Sequence, residues 1–352
     1  MRYQRVCIDG FGYTLPREVV STATIEERLA PLYRRLRLPE GRLELMSGIR
    51  ARRFWPENTS ITELSLQSAE RAIEAARVDR DSIGALVHGS VCRDYLEPAT
   101  ACGVHAGLSL PTDCAIYDVS NACLGILNGV VQIANMIELG QIQAGLAVGS
   151  ENGRQLVENT IRQLNADSSL TRSTIKHSIA SLTIGSASVA VLLCNAEISR
   201  SQNHLTAATW RTETKHAELC QSDGLATIMQ TDSERLMREG IAAGVATFGP
   251  FLDEAGWDKG DIDKTVCHQV GVAHRKLLFE SLQLPTDIDF TTLEFLGNTG
   301  AAALPVTMAL GIERGHIREG DRVAMLGIGS GINCLMLAAQ WQDAAVVAGA
   351  EG

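Results

Sequence analysis

Apolar and polar positions follow two different rhythms along this chain, and the switches between them mark out its elements. Stretches that are apolar at nearly every position, at 83–91, 143–151 and 187–194, predict strands covered on both faces. A further strand at 3–12 ends on Gly10 and Gly12, and 114–119 reads as a short one. Apolar residues at three- and four-residue spacing predict helices over 24–37 and 60–77, the second opening at Ser60 or Thr62. Small residues predict another at 99–107. Residues 124–138 are apolar enough (Ile126, Leu127, Val130, Val131, Ile133, Ala134, Ile137) to sit inside the protein as a helix. Residues 153–180 are polar and irregular and read as a surface excursion.

The pattern then starts again. Strands are predicted at 204–210, 264–270, 321–331 and 333–342, with helices at 231–249, 272–283 and 302–314. Laid on the first half, strand 264–270 matches strand 83–91. The turn and helix after Asn298 match those after Cys123, and strand 321–331 matches strand 143–151. Order and rough spacing are kept while residue identity is poor, which points to a duplicated α/β unit. The expected organisation is one half at 1–198, a second at 199–343, and an Ala/Gly-rich flexible tail at 344–352.

A chain of 352 residues is long enough for such a double core. No apolar run reaches the roughly 18 residues that cross a bilayer. The net charge of −10, with no basic block, argues against a nucleic-acid binder. Nine cysteines lie scattered without a CxxC pair or a Cys/His ligand spacing, so no metal site is expected. Their odd number, and an opening that reads as a strand rather than a targeting segment, fit a reducing cytoplasm.

Cys123 lies in Ser120-Asn-Ala-Cys-Leu-Gly, where a strand turns into a helix. Backbone N–H groups and the positive end of a helix dipole favour thiolate there, and thiolate is the nucleophilic form. A packed core cysteine is the other reading of that position alone. His268, at a strand end, reads alone as structural, and Asn298 in Gly-Asn-Thr-Gly as a turn residue or helix cap. In a duplicated unit, however, corresponding loop tips meet, and ligands gather at strand carboxyl ends. That brings Cys123, His268 and Asn298 into one constellation. Arg50, Arg52 and Arg53, with Trp55, form a basic cluster that is either a solvated face or a dock for an anionic ligand.

The residues Ser120-Asn-Ala-Cys123-Leu-Gly, His268-Gln-Val, Gly297-Asn298-Thr-Gly-Ala-Ala and Gly327-Ile-Gly-Ser-Gly resemble the thiolase superfamily, in its ketoacyl synthase III-like branch. Ser90-Val-Cys-Arg-Asp-Tyr-Leu-Glu97-Pro-Ala-Thr and Leu326-Gly-Ile-Gly-Ser-Gly-Ile-Asn-Cys are most similar to the OleA-type enzymes, which join two acyl-CoA molecules head to head. The resemblance implies a five-layered αβαβα fold and a homodimer. It implies a Cys123–His268–Asn298 triad and no tightly bound cofactor, with acyl-CoA (or an acyl carrier protein) bringing the substrate. It further implies that Glu97 reaches into the partner subunit's site as the base, and that Ser330 offers a backbone N–H to an oxyanion. Ketoacyl synthases carry three glycines where this chain has Gly329-Ser330-Gly331, and decarboxylative members need no carboxylate at Glu97. The expected reaction is therefore a non-decarboxylative Claisen condensation of two fatty acyl-CoA molecules to a β-keto acid. A malonyl-using synthase, or an acyltransferase with the same triad, is the alternative. Arg50, Arg52 and Arg53 would take the CoA phosphates, with Trp55 beside the adenine.

Overall fold

The computed structural model describes residues 1–222, 229–343 and 347–351. The first half contains β1 (Val6–Leu15), α1 (Ile61–Ala76), β2 (Ile83–Gly89), α2 (Thr100–Leu108), β3 (Ala115–Val119), α3 (Gly125–Glu138), β4 (Ala144–Glu151), α4 (Arg154–Ala166) and β5 (Ala187–Asn195). The second contains β6 (His204–Thr212), α5 (Ser233–Ala255), β7 (Lys264–Cys267), α6 (Val272–Leu282), β8 (Asp289–Phe290), α7 (Ala303–Glu313), β9 (Arg322–Gly329) and β10 (Asn333–Gln340).

The two halves build their sheets in the same order. In the first the strands run β3-β2-β4-β5-β1, and in the second β8-β7-β9-β10-β6. The pairings repeat as well: β2 is parallel to β3 and β4, while β5 is antiparallel to β4 and β1. Correspondingly, β7 is parallel to β8 and β9, and β10 is antiparallel to β9 and β6. One pairing, Cys7 with His204, joins the two sheets edge to edge.

Alternate strand residues then decide the layering. Leu86, Leu146 and Leu192 face α1 and α2 on one outer side. Leu326, Cys334 and Met336 face α5 and α6 on the other. The remaining inward residues, such as Val87, Val191, Met325 and Leu337, all pack on α3 and α7. The result is five layers, helices–sheet–helices–sheet–helices, as the resemblance implies. α7 is buried at every position from Ala303 to Ile312, so its sequence needs no polar face. Cutting Leu304 or Met308 back to Ala there would cost about 2–5 kcal/mol.

Local signals explain most boundaries. Ser60 caps α1, its hydroxyl accepting the Glu63 N–H at 3.3 Å. The predicted helix at 24–37 is two, Thr22–Arg28 and Ala30–Leu36, because the chain bends at Leu29 and Pro31 starts the second. The expected surface excursion at 153–180 is instead a built part of the fold. Val157, Ile161 and Leu164 of α4 recur at four and three residues, and with Ile175 and Leu182 they bury against Ile25, Leu29 and Leu32. Within the expected flexible tail, Val347–Glu351 forms β11, parallel to β1, so the free edge of β1 holds it. The rest of that tail, 344–346 and 352, lies outside the described residues. No helix among the described residues is long and apolar enough to cross a membrane.

Candidate active site

Cys123 sits in a short 3-10 turn, Ala122–Leu124, leading directly into α3. Asn298 precedes the equivalent 3-10 turn, Gly300–Ala302, leading into α7. α3 and α7 are the two central helices, so the duplication sets both turns at the same end of the middle layer. Gly89 and Gly125 let the end of β2 lie against the start of α3: a Cβ at Gly89 would stand 2.3 Å from the Gly125 carbonyl carbon. Ala122 has φ +43°, a left-handed conformation rare for a residue with a Cβ, immediately before the sulfur.

Cys123, His268, Asn298 and Ser330 line a single cavity of about 1920 Å³. An ordinary small-molecule site measures roughly 300–1,000 Å³, so there is room for more than one substrate. Its wall mixes polar and charged side chains with apolar ones, Ile184, Met229, Leu236, Met237 and Ile332 among them.

The backbone N–H groups of Ser330 and of Cys123 itself point at the Cys123 sulfur and favour its thiolate. Burial and the neighbouring Glu151 carboxylate act more strongly the other way and push the thiol up to about 12. The resting group is therefore a thiol: the backbone donors favour thiolate as the helix-terminus position implies, and burial with Glu151 outweighs them. The Ser330 turn is held in place by carboxamides. Asn333 donates to the Ser330 carbonyl at 3.2 Å and to Asn121 at 3.1 Å, and Asn121 donates to Asn128 of α3 at 2.7 Å.

His268 follows β7, its N–H bonded to the Leu326 carbonyl at 3.0 Å. Burial, with His274 adding to it, pulls the imidazole down to about 3. It is thus neutral at physiological pH, and its Nδ1 is buried without a hydrogen-bond partner. Asn298 anchors its turn through its main chain, accepting from Gly185 at 2.8 Å and donating to Thr183 at 2.9 Å. Its Oδ1 accepts the Gly300 N–H at 3.0 Å.

Glu97 lies on the segment between β2 and α2, which has no regular structure. Val91, Cys92, Asp94, Tyr95 and Pro98 of that segment line the cavity, while Glu97 is exposed on the surface. Asp94 fixes the segment by accepting the Ile61 and Thr62 N–H groups at the start of α1, at 2.7 and 2.9 Å.

The basic cluster does not join the site. Arg52 is 1% exposed, bonded to Thr22 Oγ1 at 2.8 Å and the Leu182 carbonyl at 2.9 Å, and its burial lowers it to about 10. Trp55 is buried too, its indole N–H on the Glu151 carbonyl at 3.1 Å. A buried guanidinium and a buried indole cannot receive phosphate or adenine, so those two expectations are corrected. Arg50 pairs with Glu294 at 2.9 Å and Arg53 bonds the Pro16 carbonyl at 2.9 Å, neither in the cavity wall. The cations that do line the cavity are Arg93, Arg154, Arg162 and Lys176, alongside His177. Sequence reasoning passed over these, since they are spread over two segments instead of clustered. It also passed over Glu151, although a carboxylate closing an otherwise apolar strand was a signal.

Residues 49–226 match the N-terminal domain of thiolase, and residues 252–341 the C-terminal part of 3-oxoacyl-[acyl-carrier-protein] synthase III. The acyl-CoA:acyl-CoA alkyltransferase of Shewanella oneidensis is 41% identical, over 97% of this chain and all of its own length. The enzyme of the same name from Xanthomonas campestris pv. campestris is 32% identical, again over 97% of this chain and all of its own. A solved structure of Xanthomonas campestris OleA with bound lauric acid and lauroyl-CoA superposes with a TM-score of 0.92, covering 96% of this chain and 100% of that one.

Proposed function

This chain belongs to the thiolase-fold family of acyl-CoA:acyl-CoA alkyltransferases, and on that premise we propose that it joins two fatty acyl-CoA molecules, without decarboxylation, into a β-keto acid. The observation that supports the reading is that Cys123, His268, Asn298 and Ser330 all line one large cavity.

In the first half-reaction the Cys123 sulfur bonds to the thioester carbon while the bond from that carbon to the CoA sulfur breaks. Neutral His268 takes the thiol proton as the sulfur attacks and returns it to the departing CoA thiolate. A neutral imidazole is suited to this, because an imidazolium has no lone pair to accept the proton. The Ser330 and Cys123 N–H groups hold the developing oxyanion, each donor worth about 3 kcal/mol. In the second half-reaction Glu97 of a second copy removes an α-proton from the next acyl-CoA. The carbanion attacks the acyl carbon as the carbon–sulfur bond to Cys123 breaks; the sulfur takes up a proton, matching the one Glu97 removed and gives up, and water then splits the β-ketoacyl thioester, its hydroxyl staying on the acid and its proton going to the CoA sulfur. His268 and Asn298 supply hydrogen bonds to the enolate oxygen.

Supporting a homodimer, Glu97 is exposed together with Val91, Tyr95 and Leu96, the last two 71% and 85% exposed, a run of apolar surface that a second copy would cover. The CoA phosphates would meet Arg93, Arg154, Arg162 and Lys176 at the cavity. The thiol, imidazole, carboxamide and carboxylate suffice for both steps, so no tightly bound cofactor is called for, and a cytoplasmic enzyme fits the nine free thiols.

Incubation with myristoyl-CoA alone should release free CoA and a β-keto acid or its ketone breakdown product. Acyl transfer without a new carbon–carbon bond, or product formed only when malonyl-CoA is supplied with carbon dioxide release, would overturn the reading.

A further inference from the structure

Glu151 ends β4, 5% exposed, and no part of the reaction above uses it. A carboxylate in such a place must be held by donors. Three backbone N–H groups donate to it, the Cys92 thiol adding a side-chain bond, and they come from two loops that do different work. Val91 donates to Oε1 at 3.0 Å and Cys92 to Oε2 at 3.3 Å, from the segment that carries Glu97. Ala301 donates to Oε1 at 3.2 Å, from the turn that carries Asn298. The fit is close: a Cβ at Gly300, which has φ +57°, would stand 3.1 Å from the carboxyl carbon. This explains the glycine of Gly-Asn-Thr-Gly, since a side chain there would push the carboxylate off its donors. The carboxylate also lines the cavity beside Cys123.

We propose that Glu151 is a positioning residue for the carbon–carbon bond-forming half-reaction, its carboxylate clasping the Glu97 segment to the Asn298 turn through Val91, Cys92 and Ala301. The assignment of the two half-reactions rests on the function proposed above. Acylation needs Cys123, His268 and the Ser330 N–H, none of which bonds to Glu151. Condensation needs Asn298 in one site and Glu97 lent to the site of the second copy, and Glu151 holds both loops of its own chain, so each clasp sets its own Asn298 turn and the segment of the base it lends. A shorter side chain cannot reach both loops, and an amide offers one acceptor atom where the carboxylate offers two.

The test separates the half-reactions in the full-length protein supplied with myristoyl-CoA. Intact mass follows the acyl adduct on Cys123, and product analysis follows condensation. For Glu151→Gln, adduct formation should be at least as fast as in wild type, since the negative charge beside Cys123 is gone, while condensation falls at least tenfold with KM little changed. Glu151→Asp, too short to reach both loops, should likewise lose condensation at least tenfold while keeping adduct formation, and it carries the test if the Gln variant does not fold. A second readout is the pH dependence of Cys123 alkylation by iodoacetamide, followed on its peptide. It should move to lower pH in Glu151→Gln, because the neighbouring negative charge is gone. Condensation at the wild-type rate in Glu151→Gln, or equal losses of acylation and condensation in both variants, would overturn the proposal. Absence of condensed product from the wild type itself would instead remove the function on which the proposal rests.

Discussion

The backbone N–H of Ser330 points at the sulfur of Cys123 across the interface between the two sheets' central turns. The bond links the end of β9, in the second half, to the start of α3, in the first. It marks where a thioester oxygen would sit, close to the sulfur that attacks its carbon.

Because Cys123 rests as a thiol raised to about 12, its reactivity should track the trace of thiolate present. Iodoacetamide alkylation of the empty enzyme should climb about tenfold per pH unit from pH 7 to 9 with no plateau. A plateau near neutrality would show a preformed thiolate.

Glu97→Ala should acylate Cys123 normally and fail to condense, with loss of about 10²–10⁴ in rate. Burst release of CoA without further turnover is the expected trace. Unchanged condensation would remove Glu97 as the base.

Arg52 and the cavity cations should separate cleanly. Arg52→Ala strips a buried guanidinium from two oxygen acceptors and should cost about 3 kcal/mol of stability without changing the KM for acyl-CoA. Arg93→Ala should do the reverse, raising KM severalfold and leaving the melting temperature within a degree or two. Denaturant titration and steady-state kinetics on the two variants decide it.

Ala122 holds a left-handed conformation before the nucleophile. Ala122→Gly should fold and acylate near the wild-type rate, while Ala122→Val forces a β-branched residue into that region at about 1–3 kcal/mol. Acylation by the Val variant should slow at least tenfold; equal rates for the two would show that the strain does not set the sulfur's position.

Stability should weaken below neutral pH. His88, His268 and His274 are buried and held down, to about 4, 3 and 4, so the unfolded chain binds their protons first. The stability they contribute is fully present above their unfolded value near 6.5 and is lost as pH falls through the folded values. At pH 5 the loss is on the order of 1–2 kcal/mol per histidine. Glu151 and Asp289, both raised by burial, act in the opposite direction as pH falls. Melting temperatures from pH 7.5 to 5 should therefore decline, and a flat profile would mean these imidazoles reach water.

The layered fold was legible because its strands are covered on both faces and its central helices are apolar all round. Both leave patterns that survive without any knowledge of contacts. Cys123, His268 and Asn298 were legible because duplication places equivalent loop tips together. What the chain hid depends on three-dimensional reach. The Arg50–Trp55 stretch reads as a phosphate dock from its charge, yet the alternation of a short strand, Ala51–Phe54, sends Arg52 and Phe54 into the core, and Trp55 just past the strand is buried too. The helix-terminus argument for Cys123 omitted a carboxylate that sequence places 28 positions away and folding brings alongside. α4 was hidden by its length of polar residues, although its apolar stripe was present.

The sulfur belongs to one sheet unit and the imidazole and carboxamide to the other, with the connection from Asn195 to His204 between them. A gene recombined between two relatives at that connection would therefore inherit both outer layers intact from their parents. The mismatch would fall on the α3–α7 layer, on the pairing of β11 with β1, and on the bonds that cross between the halves. Such hybrids would report directly on that seam, since each parent's flanks would be unchanged and any lost turnover would trace to a few atoms between them.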